Sequence, residues 1–370
     1  MDEVRLGVIG CGGMAQVHMR YFDSIAGLKF TAAADVDEQS LEKLKQQYEV
    51  RTFTDGYELI NSGEVDAVFI ATPHYFHPPY TLAAFEKGIH VLTEKPLAVT
   101  AKAAQEMVDA AAKRPELVFA AMFNQRATPL WREVKRLVAT GEVGELMRVS
   151  WTIQSWCRTQ AYYDSGGWRA TWKGEGGGVL INQCPHNLDL LCWFVGQPTR
   201  VAAAQVGLGK YHHIEVEDEV NALLEFENGA TGTFSTSTSE YSDINRLEIV
   251  GDNGTLIAEP GKPITLMRNN VPVRAFLMGD DRLRDRQGKT HVSIDPEKEG
   301  NSHRAIMENF INAILHEDEL IAPAAEGVSG LELGNAMLLS GLKQQPVDLP
   351  TDRDAFDDFL SGLAERAMAK

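Results

Sequence analysis

Short apolar runs alternate with amphipathic stretches through the first third of the chain. The apolar runs are rich in Val, Ile, Phe or Ala and too short for typical helices, so they predict buried strands. They read VRLGVIG, KFTAAAD, DAVFIAT, HVLTE and LVFAAM. The stretches between them have a helical pattern and read AQVHMRYFDSI, EQSLEKLKQQY, YTLAAFEKG and TAKAAQEMVDAAAK. This alternation predicts an α/β domain over residues 1–125, with a doubly wound parallel sheet covered on both faces.

The pattern changes after this domain. One amphipathic helix, PLWREVKRLVATG, leads into alternating apolar and polar residues that are typical of antiparallel strands. The strands read LMRVSWTIQSW, VAAAQVGLG, EVNALLEFENGATGTFSTSTS and RLEIVGDNGTLIAE, with turns at ENG and GDNG. Two later helical patterns, SHRAIMENFINAIL and GVSGLELGNAMLLSGLK, complete a mostly antiparallel α+β domain over residues 126–350. Residues 351–370 predict a peripheral C-terminal helix.

Composition agrees with two domains and narrows the function classes. A chain of 370 residues exceeds one ordinary core. The 52 acidic residues outnumber the 35 Lys and Arg, and a net charge of −17 argues against nucleic acid and membrane surfaces as partners. The opening MDEVRLGVIG is not a secretory signal, and no apolar run is long enough to cross a bilayer. Four cysteines without CxxC spacing predict reduced thiols and a cytoplasmic location: Cys11, Cys157, Cys184 and Cys192.

A glycine-rich turn follows the first predicted strand and fits the pattern G-x-G-x-x-A. Gly10 would permit a tight turn, and Gly12 would let backbone N–H groups approach a pyrophosphate. Ala15 is small enough for close packing of helix on sheet. We therefore expect Gly10, Gly12, Met14 and Ala15 to form a dinucleotide site, the alternative being a glycine turn without a ligand.

Asp35 ends the second predicted strand, 20 residues after Ala15. This is the place for a carboxylate that accepts a hydrogen bond from the ribose 2′-hydroxyl. Asp37 adds a negative charge that would repel a 2′-phosphate, so the sequence favours NAD over NADP.

The segment IATPHYFH follows the next strand of the α/β domain. Thr72, Pro73 and His74 would lie at the carboxyl end of that strand, where open α/β sheets bind ligands. His74 and His77 could indicate a metal site, but they lie in a Pro-rich loop without an acidic or cysteine companion. We interpret them as loop histidines and expect no metal.

These segments together resemble the Gfo/Idh/MocA oxidoreductases, the group that contains glucose–fructose oxidoreductase and inositol dehydrogenases. The segments are GVIGCGGMA, ATPHYFH, TEKPLAVT, GGGVLINQCPHNLDLLCWFVG, VEDEVNALLEFENGATGTF and GVSGLELGNAMLLSGLKQQPVDLP. The resemblance implies an N-terminal Rossmann domain and a C-terminal open-sheet domain like that of dihydrodipicolinate reductase. It also implies transfer of a hydride between NAD and a secondary hydroxyl of a sugar or cyclic polyol, in a homodimer or homotetramer.

The resemblance gives a role to the segment Glu94-Lys95-Pro96. It implies that Lys95 points at the reacting hydroxyl, that the peptide bond before Pro96 is often cis, and that Glu94 anchors near the ribose or positions the lysine. A fixed cation would stabilise the oxygen as alkoxide character develops. The alternative is an exposed lysine after a strand.

The segment INQCPHNLDLLCWFV predicts a helix that carries a base. Pro185 suits the first helical position. His186 and Asp189 share one face, and the positive end of the helix dipole would favour the neutral imidazole that a general base requires. Asp189 would orient the ring or hold a substrate hydroxyl, the alternative being two helix-capping residues. The opposite, buried face is predicted to comprise Leu188, Leu191, Cys192 and Val195.

The family usually has Asp four residues before this histidine, where the present chain has Asn182, and Cys184 replaces a common glycine. An amide cannot take up a proton, so a relay between Asp and His is not available. Either His186 acts with Lys95 while Asn182 holds a hydroxyl, or the chemistry differs from simple dehydrogenation.

Residues 156–178 are rich in aromatic and arginine side chains, which suit a carbohydrate. We expect Trp168 and Arg169 to contact the substrate, and Arg126, after MFNQ, to reach the same pocket. The alternative for such aromatics is a core or a subunit interface. Two further segments are discounted: YHHIEVEDE as an edge strand of the family rather than a metal site, and DRLRDRQGK as a solvated loop.

Three functions are compatible with these residues. The first is an NAD-dependent dehydrogenase in which His186 removes the hydroxyl proton and Lys95 stabilises the oxygen. The second is NAD-assisted glycoside hydrolysis through transient oxidation, and the third is a non-catalytic regulator that responds to sugar or NAD. The sequence does not specify the sugar.

Overall fold

Six strands form a parallel sheet in the computed structural model, which describes residues 2–279, 288–297 and 300–368. They are β1 (Val4–Ile9), β2 (Leu28–Ala34), β3 (Arg51–Phe53), β4 (Ala67–Ile70), β5 (His90–Thr93) and β6 (Phe119–Ala121). Their order is β3-β2-β1-β4-β5-β6. The predicted doubly wound parallel sheet and its five predicted strands are confirmed. β3 was not predicted because it has only three residues and none of them is buried.

Five helices lie between these strands along the chain, and four of them were predicted. They are α1 (Gly13–Met19), α2 (Glu38–Gln47), α3 (Gly56–Asn61), α4 (His77–Glu86) and α5 (Ala101–Ala112). α1 ends earlier than predicted, and a separate 3-10 turn covers Phe22–Ser24. α3 was not predicted, although Asp55 caps it through a hydrogen bond from Tyr57 N at 3.0 Å.

A second, nine-stranded sheet is seen in the described part of the chain. Its strands are β7 (Leu146–Ile153), β8 (Arg200–Leu208), β9 (Glu217–Glu225), β10 (Thr231–Ser237), β11 (Asn245–Gly251), β12 (Gly254–Ala258), β13 (Ile264–Asn269), β14 (Lys289–Ile294) and β15 (Val347–Asp348). Their order is β14-β13-β12-β11-β7-β10-β9-β8-β15. β7 and β10 pair in parallel and the other pairs are antiparallel, so the predicted mostly antiparallel sheet is confirmed.

Alternation along β9 shows how this sheet is built. Val220, Ala222 and Leu224 are buried, whereas Leu223 between them is 53% exposed. Successive side chains of a strand point to opposite faces, so one face of the sheet is packed and the other is open at this strand.

Seven α-helices are found in the described ranges from residue 128 onward. They are α6 (Pro129–Ala139), α7 (Gln160–Asp164), α8 (Pro185–Val195), α9 (Val273–Leu277), α10 (Ser302–His316), α11 (Gly327–Lys343) and α12 (Arg353–Met368). The predicted C-terminal helix corresponds to α12. Apart from Gly288 and Lys289, the basic segment DRLRDRQGK lies outside the described residues.

The chain divides into two compact units. The first comprises Met1–Ala127, Gly174–Gly176 and Gly300–Leu331, and the second comprises Thr128–Lys173, Gly177–Glu299 and Glu332–Lys370. The break after Ala127 lies two residues from the predicted domain boundary, but α10 belongs to the first unit rather than the second. α12 falls within the second unit instead of standing apart from it.

α10 is bound into the first unit by apolar packing. It contacts β1, β5 and the 3-10 turn at Asn124–Ala127. Its buried side chains include Met307, Phe310 and Ile311. The chain beyond α10 also joins the sheet, because Ala121 N donates to Ala322 O at 3.1 Å beside edge strand β6. Within the described ranges, no helix combines the length and apolar character needed to cross a membrane.

Candidate functional site

The turn after β1 has the backbone that its glycines predict. Gly10 has a φ of +88°, and a Cβ there would lie 2.8 Å from the carbonyl carbon of Ala71 and 2.9 Å from Thr72 N. Only glycine fits at this position, because φ is positive and the turn lies directly against the loop after β4. At Gly12, by contrast, no described atom lies within 4 Å of an added Cβ. Ala15 is fully buried on α1, as close packing of helix on sheet requires.

Met14 and Asp35 occupy different environments beside this turn. Met14 is 46% exposed at the beginning of α1. Asp35 follows β2, and its Oδ2 accepts a hydrogen bond from Cys11 N at 2.6 Å while its Oδ1 accepts one from Asp37 N at 2.9 Å. A carboxylate has about four lone-pair sites, so Asp35 can hold the glycine turn and still accept from a ribose hydroxyl.

The side chain of Asp37 caps the N-terminus of α2. Its side chain accepts hydrogen bonds from Gln39 N at 3.1 Å and from Ser40 Oγ at 2.7 Å. The bond from Ser40, followed by that from Gln39, lowers the pKa of Asp37, so the residue is ionised at neutral pH. The negative charge that the sequence analysis used to favour NAD is therefore held in place as a helix cap.

A fully buried histidine connects the loops that follow β4 and β5. Nε2 of His77 lies 2.9 Å from Thr72 O, and its Nδ1 lies 2.8 Å from Pro96 O. Burial lowers the pKa of His77, although the two carbonyl contacts oppose this shift. A neutral ring carries a single N–H and can donate to only one of the two carbonyl oxygens. Both ring nitrogens of His77 thus lie against backbone carbonyl groups, which agrees with its interpretation as a loop histidine.

His74 is also buried and also contacts backbone, since its Nδ1 lies 3.1 Å from Glu175 O. The hydroxyl of Thr72 is buried without a hydrogen-bond partner in the described part of the chain. No group of three or more His, Cys, Asp and Glu side chains suited to a metal ion is found among the described residues.

Glu94 is the central group of the segment after β5. It is 6% exposed, its Oε1 lies 2.8 Å from His18 Nε2, and its Oε2 accepts a hydrogen bond from Lys95 N at 3.0 Å. Burial acts to raise the pKa of Glu94, but the bond with His18 and the charge of Lys95 lower it to about 2. Glu94 is therefore ionised, and it fixes the backbone that carries the half-buried Lys95.

The peptide bond between Lys95 and Pro96 is cis, as the resemblance implied.

His18, the partner of Glu94, was not predicted from the sequence. It lies on α1 and is fully buried. A signal was present, because His18 comes three residues after Ala15 and so shares the buried face of that helix.

In the second unit, a π-helical turn at Val179–Gln183 precedes α8. Glu217 holds the beginning of this turn, because its buried Oε1 accepts hydrogen bonds from Gly178 N at 2.8 Å and Leu180 N at 3.1 Å. A side chain at Gly178 would overlap the carbonyl oxygen of Glu217, so glycine is required there. The turn carries Asn182, and π-helical turns occur frequently at functional sites.

α8 begins at Pro185 as predicted, but its buried face was predicted wrongly in part. Leu188 and Leu191 are buried, whereas Cys192 and Val195 are only half-buried. The fully or almost fully buried positions include two polar residues and are Asn187, Leu188, Asp189, Leu190 and Leu191. A helix that is apolar on most sides is buried on most sides, so a single-face pattern did not apply. His186 is half-buried, and Asp189 is 1% exposed.

Two of the predicted substrate residues, Arg169 and Asn182, meet at the hydroxyl of Tyr162, and a third, Trp168, lies against Arg169. This oxygen receives Arg169 Nη1 at 3.0 Å and Asn182 Nδ2 at 3.3 Å. The guanidinium of Arg169 also lies 4.7 Å from the ring centre of Trp168 and 4.8 Å from that of Tyr162. Sequence reasoning noted Tyr162 only as one aromatic residue among several, because the π-helical turn that brings Asn182 to it was not foreseen.

Arg126 has a partner that the sequence did not indicate. It is 2% exposed and forms an ion pair with Glu326, and its guanidinium lies 5.9 Å from the ring centre of Phe123. Its buried charge is thus balanced within the first unit, and a substrate contact is not needed to explain it.

Comparison with known proteins identifies the family. Residues 4–122 match the oxidoreductase family with an NAD-binding Rossmann fold, and residues 131–257 match the GFO/IDH/MocA C-terminal domain. The chain belongs to the Gfo/Idh/MocA oxidoreductases. As a member of this family, it is an NAD-binding oxidoreductase.

Relatives of this Gfo/Idh/MocA chain extend over most of its length. It is 28% identical to an inositol 2-dehydrogenase of Rubrobacter xylanophilus, over 92% of this chain and 91% of the relative. It is also 28% identical to a 1,5-anhydro-D-fructose reductase of Ensifer adhaerens, over 81% of this chain and 85% of the relative. A WlbA dehydrogenase from Bordetella pertussis, solved with NADH and UDP-GlcNAcA, is 25% identical with a TM-score of 0.77, covering 95% of this chain and all 100% of that one.

The residues of the first unit fit the NAD that this family binds. The turn at Gly10 has no room for a side chain, and the space beside Gly12 is open. Asp35 accepts a hydrogen bond from the turn and has lone pairs left for a further donor. Gly10, Gly12 and Asp35 would therefore hold the pyrophosphate and the adenosine ribose.

Proposed function

We propose that the protein is an NAD-dependent dehydrogenase that oxidises a secondary hydroxyl of a sugar, sugar derivative or cyclic polyol. The observation that carries this proposal is the fixed, half-buried Lys95, whose backbone is bonded to an ionised and buried Glu94. Support for the substrate class comes from the relatives, which include dehydrogenases and reductases named for inositol and anhydrofructose.

Lys95 is assigned to the reacting oxygen. Its backbone N–H is bonded to Glu94, and the carbonyl of the next residue, Pro96, is bonded to His77. When bound, NAD supplies the acceptor for the hydride that leaves the carbon. As that carbon becomes a carbonyl, negative charge develops on its oxygen, and a preorganised ammonium stabilises it.

His186 is assigned as the base that takes the hydroxyl proton. It lies in the first turn of the 11-residue α8, where the positive end of the helix dipole favours a neutral imidazole. Asn182 cannot accept a proton, so it is assigned to hold a neighbouring hydroxyl. Asp189 is assigned to orient the imidazole or a substrate hydroxyl. Of the cofactor residues, Met14, Ala15, Thr72, Pro73, His74 and Glu94 are proposed together with the glycine turn.

The test is incubation with NAD and a panel of sugars, glycosides and inositols, followed by NADH absorbance. We expect at least one compound to form NADH, and Lys95→Ala to lower kcat/KM by at least about a hundredfold, because it removes the charge that stabilises the oxygen. The exposed Lys113, at the end of α5, provides a control of the same charge, and Lys113→Ala should retain full activity. Absence of NADH with every member of the panel would reject the proposal.

NAD-assisted glycoside hydrolysis is a second candidate, favoured by Asn182 in place of the usual Asp. It would consume glycosides without net NADH and would place solvent deuterium in the sugar. The cytoplasmic location and the homodimer or homotetramer stay predictions.

A further inference from the structure

Hydrogen-bond donors outnumber acceptors around Tyr162. Its hydroxyl oxygen can accept two hydrogen bonds, but it faces Arg169 Nη1 at 3.0 Å, Asn182 Nδ2 at 3.3 Å and Gln183 Nε2 at 3.4 Å. The oxygen of the Gln183 amide is buried without a partner, and turning the amide would let it accept from Tyr162. In the described ranges, the other side-chain N–H groups of Arg169 have no protein acceptor. This cluster is therefore short of acceptor atoms.

Two arginines flank the Tyr162 ring. The guanidinium of Arg158 lies 5.0 Å from its centre and that of Arg169 lies 4.8 Å from it. Neither arginine forms an ion pair with Asp or Glu within the described ranges. The cluster thus holds two positive charges without a protein counterion, in a chain whose net charge is −17.

Arg158 is held in place before any ligand binds. Its backbone N–H donates to Thr238 O at 2.8 Å, its carbonyl lies 2.9 Å from His212 Nε2, and its Nη1 donates to Cys157 O at 3.0 Å. Its Nε is buried and has no partner in the described part of the chain. A buried N–H of a guanidinium without an acceptor destabilises the protein unless a ligand supplies one.

Three acidic residues of the second unit, two of which hold segments next to this cluster, already accept hydrogen bonds from other groups. Asp218 binds three successive backbone N–H groups at 210–212 and the ring of His212, which explains the segment YHHIEVEDE as structural. Glu217 holds the π-helical turn, and Asp164 accepts from Gln160 Nε2 at 2.9 Å. Asn182 brings an amide where the family usually has a carboxylate, which removes a charge that would repel an anion.

We infer that the substrate is an anionic sugar, and that Arg158 and Arg169 bind its carboxylate or phosphate group. This inference rests on the proposed dehydrogenase function and specifies its substrate class. Guanidinium groups match both oxyanions through paired N–H donors, and such charge-assisted bonds are about twice as strong as neutral ones. The net charge of the chain is −17, so on average its surface repels anions. The two arginines provide a local positive charge that attracts an anionic group to this cluster in spite of that repulsion.

The experiment compares D-glucose, D-glucuronate and D-glucose 6-phosphate, and the corresponding galactose series, with NAD. We expect one of the anionic members to have a higher kcat/KM than its neutral parent, and added salt to reduce that advantage. The carboxylate and phosphate arms show which oxyanion is preferred. Arg158→Gln and Arg169→Gln should each lower the ratio of anionic to neutral kcat/KM by about tenfold to a hundredfold, mainly through KM.

Two controls separate binding from folding. Arg148, on β7, forms an ion pair with Glu248 at the surface, and Arg148→Gln should leave the ratio as in the wild type. Arg158→Lys and Arg169→Lys retain the charge without the planar fork, so an intermediate ratio with unchanged thermal unfolding would support oxyanion binding.

Calorimetry with NADH present extends the test to compounds that are not turned over. Tighter binding of the anions than of the neutral parents, lost in Arg158→Gln, supports the inference. Equal or tighter binding of the neutral sugars, or no binding of any of the anions, overturns it. Formation of NADH from neutral sugars alone would reject the anionic substrate and leave the dehydrogenase function standing, whereas no NADH from any sugar would reject that function.

Discussion

Glu94 shows how a single buried charge shapes the candidate site. One oxygen faces His18 and the other accepts the backbone N–H of Lys95, so both sides of the carboxylate have a donor. Its position after β5 could be inferred from sequence through the family resemblance. His18 could not be matched to it, because the two residues are 76 positions apart and only the packing of α1 on the sheet brings them together.

Replacement of Glu94 by glutamine should destabilise the protein by about 3 kcal/mol, because the ring of His18 and the backbone N–H of Lys95 lose a charged acceptor in a buried site. With its pKa lowered to about 2 in the folded protein, the ionised carboxylate stabilises the fold above about pH 4.5, and this stabilisation is lost as pH falls toward about 2. Urea unfolding of wild type and Glu94→Gln at neutral and acidic pH measures both effects.

Glu64 is a suitable control for this substitution, since its ion pair with Arg51 is at the surface. Glu64→Gln should cost less than about 1 kcal/mol. Equal destabilisation by the two substitutions would contradict the role given to Glu94.

At the scale of elements, the loops after β1, β4 and β5 form one connected structure. Gly10 packs on the loop after β4, and the ring of His77 lies between a carbonyl oxygen of that loop and one of the loop after β5. The strands and the glycine turn could be predicted because apolar runs and G-x-G-x-x-A have a direct structural meaning. β3 and α3 were missed because an exposed three-residue strand has no apolar run, and α8 was misjudged because its polar residues Asn187 and Asp189 are buried too.

Two alanine substitutions in the glycine turn should separate folding from cofactor binding. Gly10→Ala should destabilise the first unit by at least about 2 kcal/mol, because its φ is positive and the methyl group would meet backbone atoms of Ala71 and Thr72. Gly12→Ala should change stability by less than about 0.5 kcal/mol, because no described atom lies within 4 Å of the added carbon.

NADH fluorescence titration completes this comparison. Gly12→Ala should weaken NADH binding by about tenfold or more, since its methyl group would occupy the space that a pyrophosphate needs. Unchanged NADH affinity in a stable Gly12→Ala protein would place the pyrophosphate elsewhere.

For the whole molecule, the sequence predicted two domains of the right classes. It did not predict that the chain returns to the first unit at Gly300–Leu331. Helical periodicity identifies α10 as a helix, yet it does not say which sheet the helix covers. The apolar residues Met307, Phe310 and Ile311 could pack in either unit on composition alone. The contacts of α10 with β1, β5 and the 3-10 turn at Asn124–Ala127 assign them to the first unit.

Stability should depend on pH through three fully or partly buried histidines of the first unit. Burial lowers the pKa of His77, His90 and His303 below the usual 6.5. As pH falls, these histidines take up protons at a higher pH in the unfolded chain than in the folded protein. Their contribution to the free energy of unfolding is therefore complete above about pH 6.5 and is lost as pH falls through the folded pKa values. We expect the melting temperature to fall between about pH 7 and about pH 5, and His303→Gln to reduce that dependence.

His316 lies on the same helix as His303 but is exposed, so His316→Gln is the matched control. It should leave the pH dependence as it is in the wild type. A melting temperature that rises on acidification would contradict this assignment.

The return of α10 to the first unit has a consequence during translation. All six strands of the parallel sheet have been synthesised once the chain reaches Ala121, but α10 at Ser302–His316 is made only after most of the second unit. Until then the nascent chain exposes the apolar surface that Phe310 and its neighbours will bury. The first unit therefore cannot complete its packing until most of the second has been synthesised, and exposed apolar surface of this kind makes incompletely folded chains prone to aggregation.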